Sequence, residues 1–251
     1  MHTPLVFPVG ETLACDYAGK FLKESRWEIS DHLSPDITHL LLDVPSFRAS
    51  GVLRSGEAIK GLLEKLPAGI TVIGGGLSDP ALDGYRKTDL LSDPVYLAKN
   101  AAITAHCAFV FAGKRLDTVY PDTPTLVIGW GRIGKCLGAL LRKLGAPVTV
   151  AARKEADRAM LRALGYPAVS PEELPAMLPG FRLIFNTAPA PVLTEEMAAL
   201  GKSALKIDLA SSPGILGEDV IPARGLPGIY APESSGRLIA ETVLRLWKDG
   251  T

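Results

Sequence analysis

Apolar residues in the first part of the chain fall into two spacings that follow one another in turn. Continuous apolar runs predict buried strands at residues 5–9, 38–43 and 70–73. Positions three and four apart predict helices at residues 11–25 and 56–66. Strands that alternate with helices are typical of a parallel sheet covered by helices. The pattern therefore predicts a small α/β domain at residues 1–92.

The same alternation returns after a long alanine-rich helix predicted at residues 95–112. We assign residues 93–120 to this linking helix and a connector, because Pro121 and Pro124 mark the entry to the next domain. Residues 121–232 are predicted to form a second α/β domain, and residues 233–251 a helix that returns toward the first. The strands predicted in the second domain lie at residues 125–128, 148–152, 182–186, 205–210 and 228–230, with a short one near residue 168.

A glycine turn joins the first strand of the second domain to a helix. Gly129, Gly131 and Gly134 form the spacing G-x-G-x-x-G between an apolar strand and an amphipathic helix, which is the context of a dinucleotide-binding fingerprint. Pyrophosphate then binds to free N–H groups at the helix N-terminus, here including Arg132 and Ile133. The alternative is a turn with a purely structural role. We favour nucleotide binding because both flanks are correct, and we expect a doubly wound Rossmann sheet.

The end of the second strand of a Rossmann domain selects the cofactor. A domain that prefers NAD places an acidic residue there for the ribose 2′-hydroxyl group. This chain has Arg153 followed by Lys154, with no acid before Glu155. A guanidinium group forms charge-assisted hydrogen bonds to phosphate. The sequence therefore predicts NADP, with NAD possible, and leaves a solvated basic turn as the alternative.

Small and hydroxyl-bearing residues follow the later strands, at the edge where ligands bind in parallel sheets. We expect these loops to border the nicotinamide half of the cofactor, with catalysis a further role for Asn186 and Ser211. The alternative is that such side chains only cap loops and helices. The candidate cofactor-binding residues in these loops are Asn186, Thr187, Ala188, Pro189, Asp208 and Ser211.

Composition excludes several other classes of function. The chain has 251 residues, and its 27 basic and 27 acidic residues balance, which argues against nucleic acid or a membrane surface as partner. Its three cysteines lack the spacing of a disulfide framework or metal cluster, so we expect no metal and a reducing compartment. We see no apolar run of span length and no signal peptide. We therefore expect a soluble cytoplasmic protein. We also expect a homo-oligomer, although composition does not bear on this.

Several motifs together resemble the A subunit of dipicolinate synthase. They are the fingerprint, Ala152-Arg153 at the second strand end, the loop at Asn186, Ile207-Asp-Leu-Ala-Ser-Ser-Pro-Gly214 and Gly225-Leu-Pro-Gly-Ile-Tyr-Ala-Pro232 with Ser235-Gly236. The resemblance implies a flavodoxin-like N-terminal domain joined to the Rossmann domain, as in D-2-hydroxyacid dehydrogenases. It also implies oxidation of a dihydrodipicolinate-type dicarboxylate to dipicolinate during sporulation, with a nicotinamide acceptor and, as partner, a flavoprotein-like B subunit.

Three departures from the family pattern keep other functions open. Ser212 stands where the family has Arg, Glu233 stands where it has Lys, and Ile103-Thr-Ala-His-Cys107 replaces Pro-Thr-x-Glu-Gly. One alternative is a nucleotide-binding subunit that is regulatory and not catalytic. Another is a dehydrogenase of a different 2-hydroxy or 2-keto acid.

His106 is the candidate for proton transfer. Imidazole titrates near working pH, and His106 lies two residues after Thr104, where the resembled family has its Glu. Two residues correspond to about 200° around a helix, which points His106 away from the face that Asn100 and Thr104 share. A packed or surface histidine is therefore the alternative to a catalytic one.

Overall fold

The structure is a computed structural model that describes residues 3–249, so residues 1–2 and 250–251, including the terminal His2, lie outside it. The chain divides into two compact units. One contains the described residues up to Asn100 together with those from Pro227 onward, and the other is Ala101–Leu226. Each is α/β with a parallel sheet, which confirms the predicted fold class.

The first unit is built on a parallel sheet with the strand order β2-β1-β3-β6-β7. Counted within this sheet, the order is 2-1-3-4-5, the flavodoxin-like topology that the resemblance implied. The sheet also pairs β7 beside β6, a polar edge strand that the apolar pattern did not predict. A separate hairpin, β4 with β5, was missed as well because each strand is very short. The elements are β1 (Leu5–Pro8), α1 (Leu13–Glu24), β2 (Glu28–Ile29), β3 (His39–Leu41), β4 (Phe47–Ala49), β5 (Val52–Leu53), α2 (Ile59–Leu63), β6 (Thr71–Gly74) and β7 (Arg86–Asp89).

The second unit is built on a parallel sheet with the strand order β10-β9-β8-β11-β12-β13. Counted within this sheet, the order is 3-2-1-4-5-6, the Rossmann arrangement whose order reverses between the first and fourth strands. Here that switch point lies between β8 and β11. The elements are the part of α3 (Pro94–Gly113) from Ala101 onward, β8 (Thr125–Ile128), α4 (Arg132–Lys143), β9 (Val148–Ala151), α5 (Glu155–Ala163), β10 (Ala168–Val169), α6 (Leu174–Met177), β11 (Leu183–Asn186), α7 (Glu195–Leu200), β12 (Leu205–Asp208) and β13 (Val220–Pro222).

Two helices complete the described chain, α8 (Leu226–Tyr230) and α9 (Pro232–Asp249). The strand predicted at residues 228–230 is wrong, because these residues belong to α8. The sixth strand of the sheet is β13, which carries only three residues and ends in Pro222. A short edge strand with a proline gives no apolar alternation, so the sequence pattern predicts the strand at the Gly-Ile-Tyr run instead.

Helix α9 packs closely on α1 within the first unit. A Cβ atom added at Gly236 would lie 2.6 Å from the carbonyl oxygen of Ala14 and would also meet the side chain of Tyr17. Arg237 stacks over the ring of Phe21, with its guanidinium carbon 4.2 Å from the ring centroid. Only glycine fits so near a neighbouring backbone, so Gly236 fixes how closely the two helices approach.

Helix α3 contains the boundary between the two units, which falls at Asn100. By length and composition it is apolar enough to cross a membrane, so the prediction that no run approaches span length was wrong. A core helix of a soluble protein passes the same test, and 44% of the apolar window is buried inside the chain. Buried residues along it include Tyr96, Ala101, Ala105 and Ala108.

His39 is buried in an aromatic cluster of the first unit. Its ring centroid lies 5.2 Å from that of Trp27 and 5.2 Å from that of Trp247. Nδ1 is 2.7 Å from the Thr38 hydroxyl, whereas Nε2 is buried with no hydrogen-bond partner in the described chain. Burial lowers the pKa of His39 to about 4, because an imidazolium ion in this cluster would lose its hydration.

This burial predicts a pH dependence of stability. The unfolded chain binds more protons than the folded one between about pH 4 and 6.5, so stability is present at neutral pH and is lost as pH falls through that window. By linkage, His39 alone should lower the free energy of unfolding by about 2 kcal/mol at pH 5 relative to neutral pH. Urea denaturation of wild type and His39→Phe at both pH values measures it. His32→Gln changes an exposed histidine and should keep the wild-type dependence; an unaltered pH dependence in His39→Phe would refute the assignment.

Candidate nucleotide-binding site

The fingerprint turn leaves the carboxyl end of β8 in a conformation that needs glycine. Gly129 has φ +98°, in the region that L side chains rarely adopt. A Cβ atom at Gly129 would lie 2.7 Å from Oγ1 of Thr187, and one at Gly134 would clash with the carbonyl oxygen of Gly129. The first and third glycines therefore allow the turn and the close packing of α4 beneath it.

Gly131 has a different role from the other two glycines. It is exposed, and a Cβ atom there would meet nothing within 4 Å, so packing inside the protein does not demand glycine. It is also the N-cap of α4 and supplies no capping side chain. The N–H groups of the first turn, which includes Arg132 and Ile133, are thus left for another acceptor. An open glycine before an uncapped helix fits a pyrophosphate group, which would approach the backbone here.

The carboxyl end of β9 carries free positive charge. Arg153 and Lys154 are exposed, and no described residue forms an ion pair with Arg153. The first acid after the strand is Glu155, whose carboxylate accepts hydrogen bonds from Arg162 at 3.0 Å and Arg158 at 2.8 Å. These bonds lower the pKa of Glu155 and keep its charge paired. Arg153 therefore faces solvent without a competing carboxylate.

Asn186 and Asp208 form a buried pair at the ends of β11 and β12. The parallel register sets them side by side, and Nδ2 of Asn186 donates to Oδ1 of Asp208 at 2.8 Å. The carboxylate also accepts the N–H groups of Ala210 at 3.0 Å and Gly214 at 2.7 Å. Exposure is 0% for Asn186 and 4% for Asp208, so both side chains hold the loops that follow them.

The loop after β11 is tied to the fingerprint turn. Thr187 donates its hydroxyl to the carbonyl oxygen of Ile128 at 2.9 Å, and its N–H binds the same oxygen at 2.8 Å. Ala188 is half-buried and bound through its N–H to Oδ1 of Asn186, whereas Pro189 is exposed. Thr187, Ala188 and Pro189 therefore lie beside the glycine turn, at the switch point of the sheet.

The loop after β12 presents two hydroxyl groups to solvent. Ser211 and Ser212 are exposed, in contrast to the buried Leu209 and Ala210 before them. Across from this loop, Arg224 follows β13 and donates Nε to the carbonyl oxygen of Ala210 at 2.9 Å. Arg224 was not predicted as a site residue because β13 was not predicted. Arg224 does share one feature with Arg153, since each stands two residues after the last paired position of its strand.

His106 lies on α3 and is exposed, between the buried Ala105 and Cys107. Thr104 is half-buried, so His106 is the more exposed of the two residues. No hydrogen bond within residues 3–249 joins the imidazole of His106 to Asn186, Thr187 or Ser211. The fold thus brings the fingerprint and the β11 and β12 loops to one edge, and the catalytic role of His106 stays a prediction.

The chain is similar to the A subunit of dipicolinate synthase in both sequence and fold. It is 28% identical over 156 residues to this protein from Bacillus subtilis, a match that covers 59% of this chain and 52% of the relative, about half of the relative's length. The crystal structure of the same protein from Bacillus halodurans superposes with a TM-score of 0.82, at 24% identity over 97% of each chain. The crystal structure from Bacillus subtilis gives a TM-score of 0.80, at 22% identity over 99% of this chain and 97% of that one.

More distant structures extend the likeness of fold. A transhydrogenase from Sinorhizobium meliloti gives a TM-score of 0.71 at 16% identity over 98% of this chain and 93% of that one. None of the protein-family models matches the chain. The fold is shared with these dipicolinate synthase A subunits and with this transhydrogenase, and the predicted resemblance to the A subunit of dipicolinate synthase is confirmed.

Proposed function

We propose that the protein is an NADP-dependent oxidoreductase that oxidises a dihydrodipicolinate-type intermediate to dipicolinate. The observation that carries the proposal is the Rossmann sheet with its glycine turn and uncapped α4 helix at the switch point. The similarity to the A subunit of dipicolinate synthase supports the substrate class. The matched part of that relative is about half its length, so its activity comes to this chain as part of the proposal.

The preference for NADP rests on Arg153. Arg153 is exposed at the end of β9 and forms no ion pair with the described part of the chain, while Glu155 is held by Arg158 and Arg162. An acid engaged by two guanidinium groups is poorly placed to accept from a ribose 2′-hydroxyl group. A 2′-phosphate would instead meet a planar donor with no carboxylate to displace.

The chemistry assigned to the other loops follows from the reaction. A bound nicotinamide ring supplies a hydride acceptor, and aromatisation of a dihydropyridine also releases one proton to a base or to water. Asn186 and Asp208 are both buried, so they shape the loops around the ring, and Ser211 offers an exposed hydroxyl at the same edge. His106 is proposed as the base.

Titration of NADPH and NADH tests the cofactor preference. In wild type we expect NADPH to bind about ten- to hundredfold more tightly than NADH, since a charge-assisted hydrogen bond contributes roughly 1.5–3 kcal/mol. Arg153→Ala should remove this difference and leave NADH affinity unchanged. Lys202→Ala removes an exposed cation that precedes β12, at the opposite edge of the sheet, and should behave as wild type. Equal affinities for the two nucleotides in wild type would contradict the role of Arg153.

A second candidate function is a nucleotide-binding subunit without catalysis of its own. Two family cations are absent at Ser212 and Glu233, and the carboxylate of Glu233 lies 3.4 Å from Arg237. Binding of NADPH without turnover of the dicarboxylate, whether or not a B subunit is present, would favour this candidate. Turnover of a different 2-hydroxy or 2-keto acid would keep the oxidoreductase and change its substrate.

The remaining parts of the proposal concern context. We propose a homo-oligomer that acts in the cytoplasm of a sporulating cell beside a flavoprotein-like B subunit. The support is that the similar protein is itself named as one subunit of dipicolinate synthase. Co-purification with a B subunit encoded nearby tests the partner, and sedimentation of the purified chain tests the oligomer.

A further inference from the structure

We propose that Arg224 binds a carboxylate of the substrate and takes the place of the cation that this chain lacks at Ser212. The inference rests on the proposed function, since it names the residue that would hold the dicarboxylate. It starts from a contact that joins the two loops in question. Nε of Arg224 donates to the carbonyl oxygen of Ala210 at 2.9 Å, two residues before Ser212.

The strand register explains this contact. Asp208 pairs with Pro222, and the N–H group of Ala223 continues the ladder by binding the carbonyl oxygen of Asp208 at 2.8 Å. Arg224 therefore stands beside Ala210, just beyond the carboxyl ends of β12 and β13. Ligands bind at the carboxyl edge in such sheets, and the last three strands serve the nicotinamide half of a dinucleotide.

The guanidinium group of Arg224 has donors to spare at this edge. The residue is exposed, and only its Nε has an acceptor among residues 3–249, so both terminal nitrogens remain for a ligand. The neighbouring strand β12 ends in the carboxylate of Asp208. This carboxylate is buried and already accepts hydrogen bonds from Asn186 and from the N–H groups of Ala210 and Gly214. Within residues 3–249, Arg224 therefore forms no ion pair with Asp208.

A guanidinium group anchored through Nε suits a planar carboxylate. The Ala210 contact fixes the plane of the fork, and the two terminal nitrogens then donate in parallel to the two carboxylate oxygens. Lysine would supply the charge but not the fork. In an aromatic dicarboxylate the carboxylate groups lie in the plane of the ring. The planar, positively charged fork of Arg224 therefore favours such a ligand over a neutral substrate.

The inference is tested by measuring the binding of pyridine-2,6-dicarboxylate to the protein by calorimetry in the presence of NADP. We expect Arg224→Gln to weaken this binding about ten- to hundredfold and Arg224→Lys to recover part of the loss. NADPH affinity and melting temperature should stay as in wild type, because neither depends on the terminal nitrogens. Arg182→Gln is the matched control, since Arg182 is an exposed arginine bound to Asp117 at 3.3 Å before β11, at the opposite edge.

A compensating variant separates ligand binding from a structural role. If Arg224 only braces its loop, a cation at position 212 cannot restore binding of the dicarboxylate to Arg224→Gln. If instead positive charge at this edge binds the ligand, Ser212→Arg in the Arg224→Gln background should restore affinity. Equal affinities of wild type and Arg224→Gln would overturn the inference, and so would a failure of Ser212→Arg to restore any binding.

The substrate class is tested apart from Arg224 by adding pyruvate and 2-oxoglutarate to the same titrations. Binding of one of these in place of pyridine-2,6-dicarboxylate, with loss in Arg224→Gln, would overturn the proposed substrate and support the role of Arg224. A wild type that binds none of the carboxylates would overturn both.

Discussion

Asp208→Ala is expected to lower the free energy of unfolding by about 3 kcal/mol, because the change leaves several buried donors without an acceptor. The carboxylate is 4% exposed and receives Nδ2 of Asn186 and the N–H groups of Ala210 and Gly214. A cavity forms where it stood, and water has little access. Urea denaturation measures the change.

Two further variants bracket this result. Asp208→Asn keeps the size of the side chain, so it should lose less stability than Asp208→Ala. It should still be less stable than wild type, because its amide presents a donor to one of the same N–H groups. Asp117→Ala removes an exposed carboxylate whose ion pair with Arg182 lies at the surface, and it should cost well under about 1 kcal/mol. If Asp208→Ala were as stable as Asp117→Ala, the buried network would not hold these loops.

Gly134→Ala is expected to weaken NADPH binding by at least about a hundredfold, which corresponds to about 2.7 kcal/mol. The added Cβ atom would clash with the carbonyl oxygen of Gly129, and backbone cannot rotate away as a side chain can. Helix α4 would then separate from β8, and the N–H groups at its start would leave the position that a pyrophosphate needs. Fluorescence or calorimetric titration gives the affinity.

Other glycines of the same segment supply the controls. Gly138→Ala, one turn further along α4, adds a Cβ atom at 3.5 Å from the ring of Trp130, an ordinary contact, and should bind as wild type. Gly131→Ala meets no neighbour, so it should keep its melting temperature while NADPH affinity falls. Wild-type affinity in both Gly134→Ala and Gly131→Ala would refute the fingerprint as the binding site.

The sequence predicted the parts of the fold whose signals are local. The segment from β8 to β9 was predicted almost residue for residue, because an apolar run, a glycine turn and an amphipathic helix occur within a short stretch. Strand β7 was not predicted because Arg86–Asp89 carries no apolar alternation. Strand β13 was not predicted because it is short and ends in Pro222, and for this reason Arg224 was not predicted as a site residue.

Contacts between distant loops could not be predicted in the same way. The pairing of Asn186 with Asp208 depends on the register of β11 against β12, which the sequence leaves open. Both side chains are buried, which favours the alternative interpretation in which Asp208 organises loops. The catalytic roles of Asn186 and Ser211 stay predictions. The ion pairs of Glu155 with Arg158 and Arg162 likewise depend on the geometry of α5.

The most direct test of the central claim is the formation of reduced nicotinamide nucleotide, followed by absorbance, when the purified protein meets NADP and freshly generated dihydrodipicolinate. The oxidation passes a hydride to the nucleotide and releases a proton, so reduced nucleotide and dipicolinate should appear in equal amounts. We expect faster formation with NADP than with NAD, and loss of that preference in Arg153→Ala. Tight binding of NADP without formation of NADPH, with or without a B subunit, would contradict the assignment as an oxidoreductase.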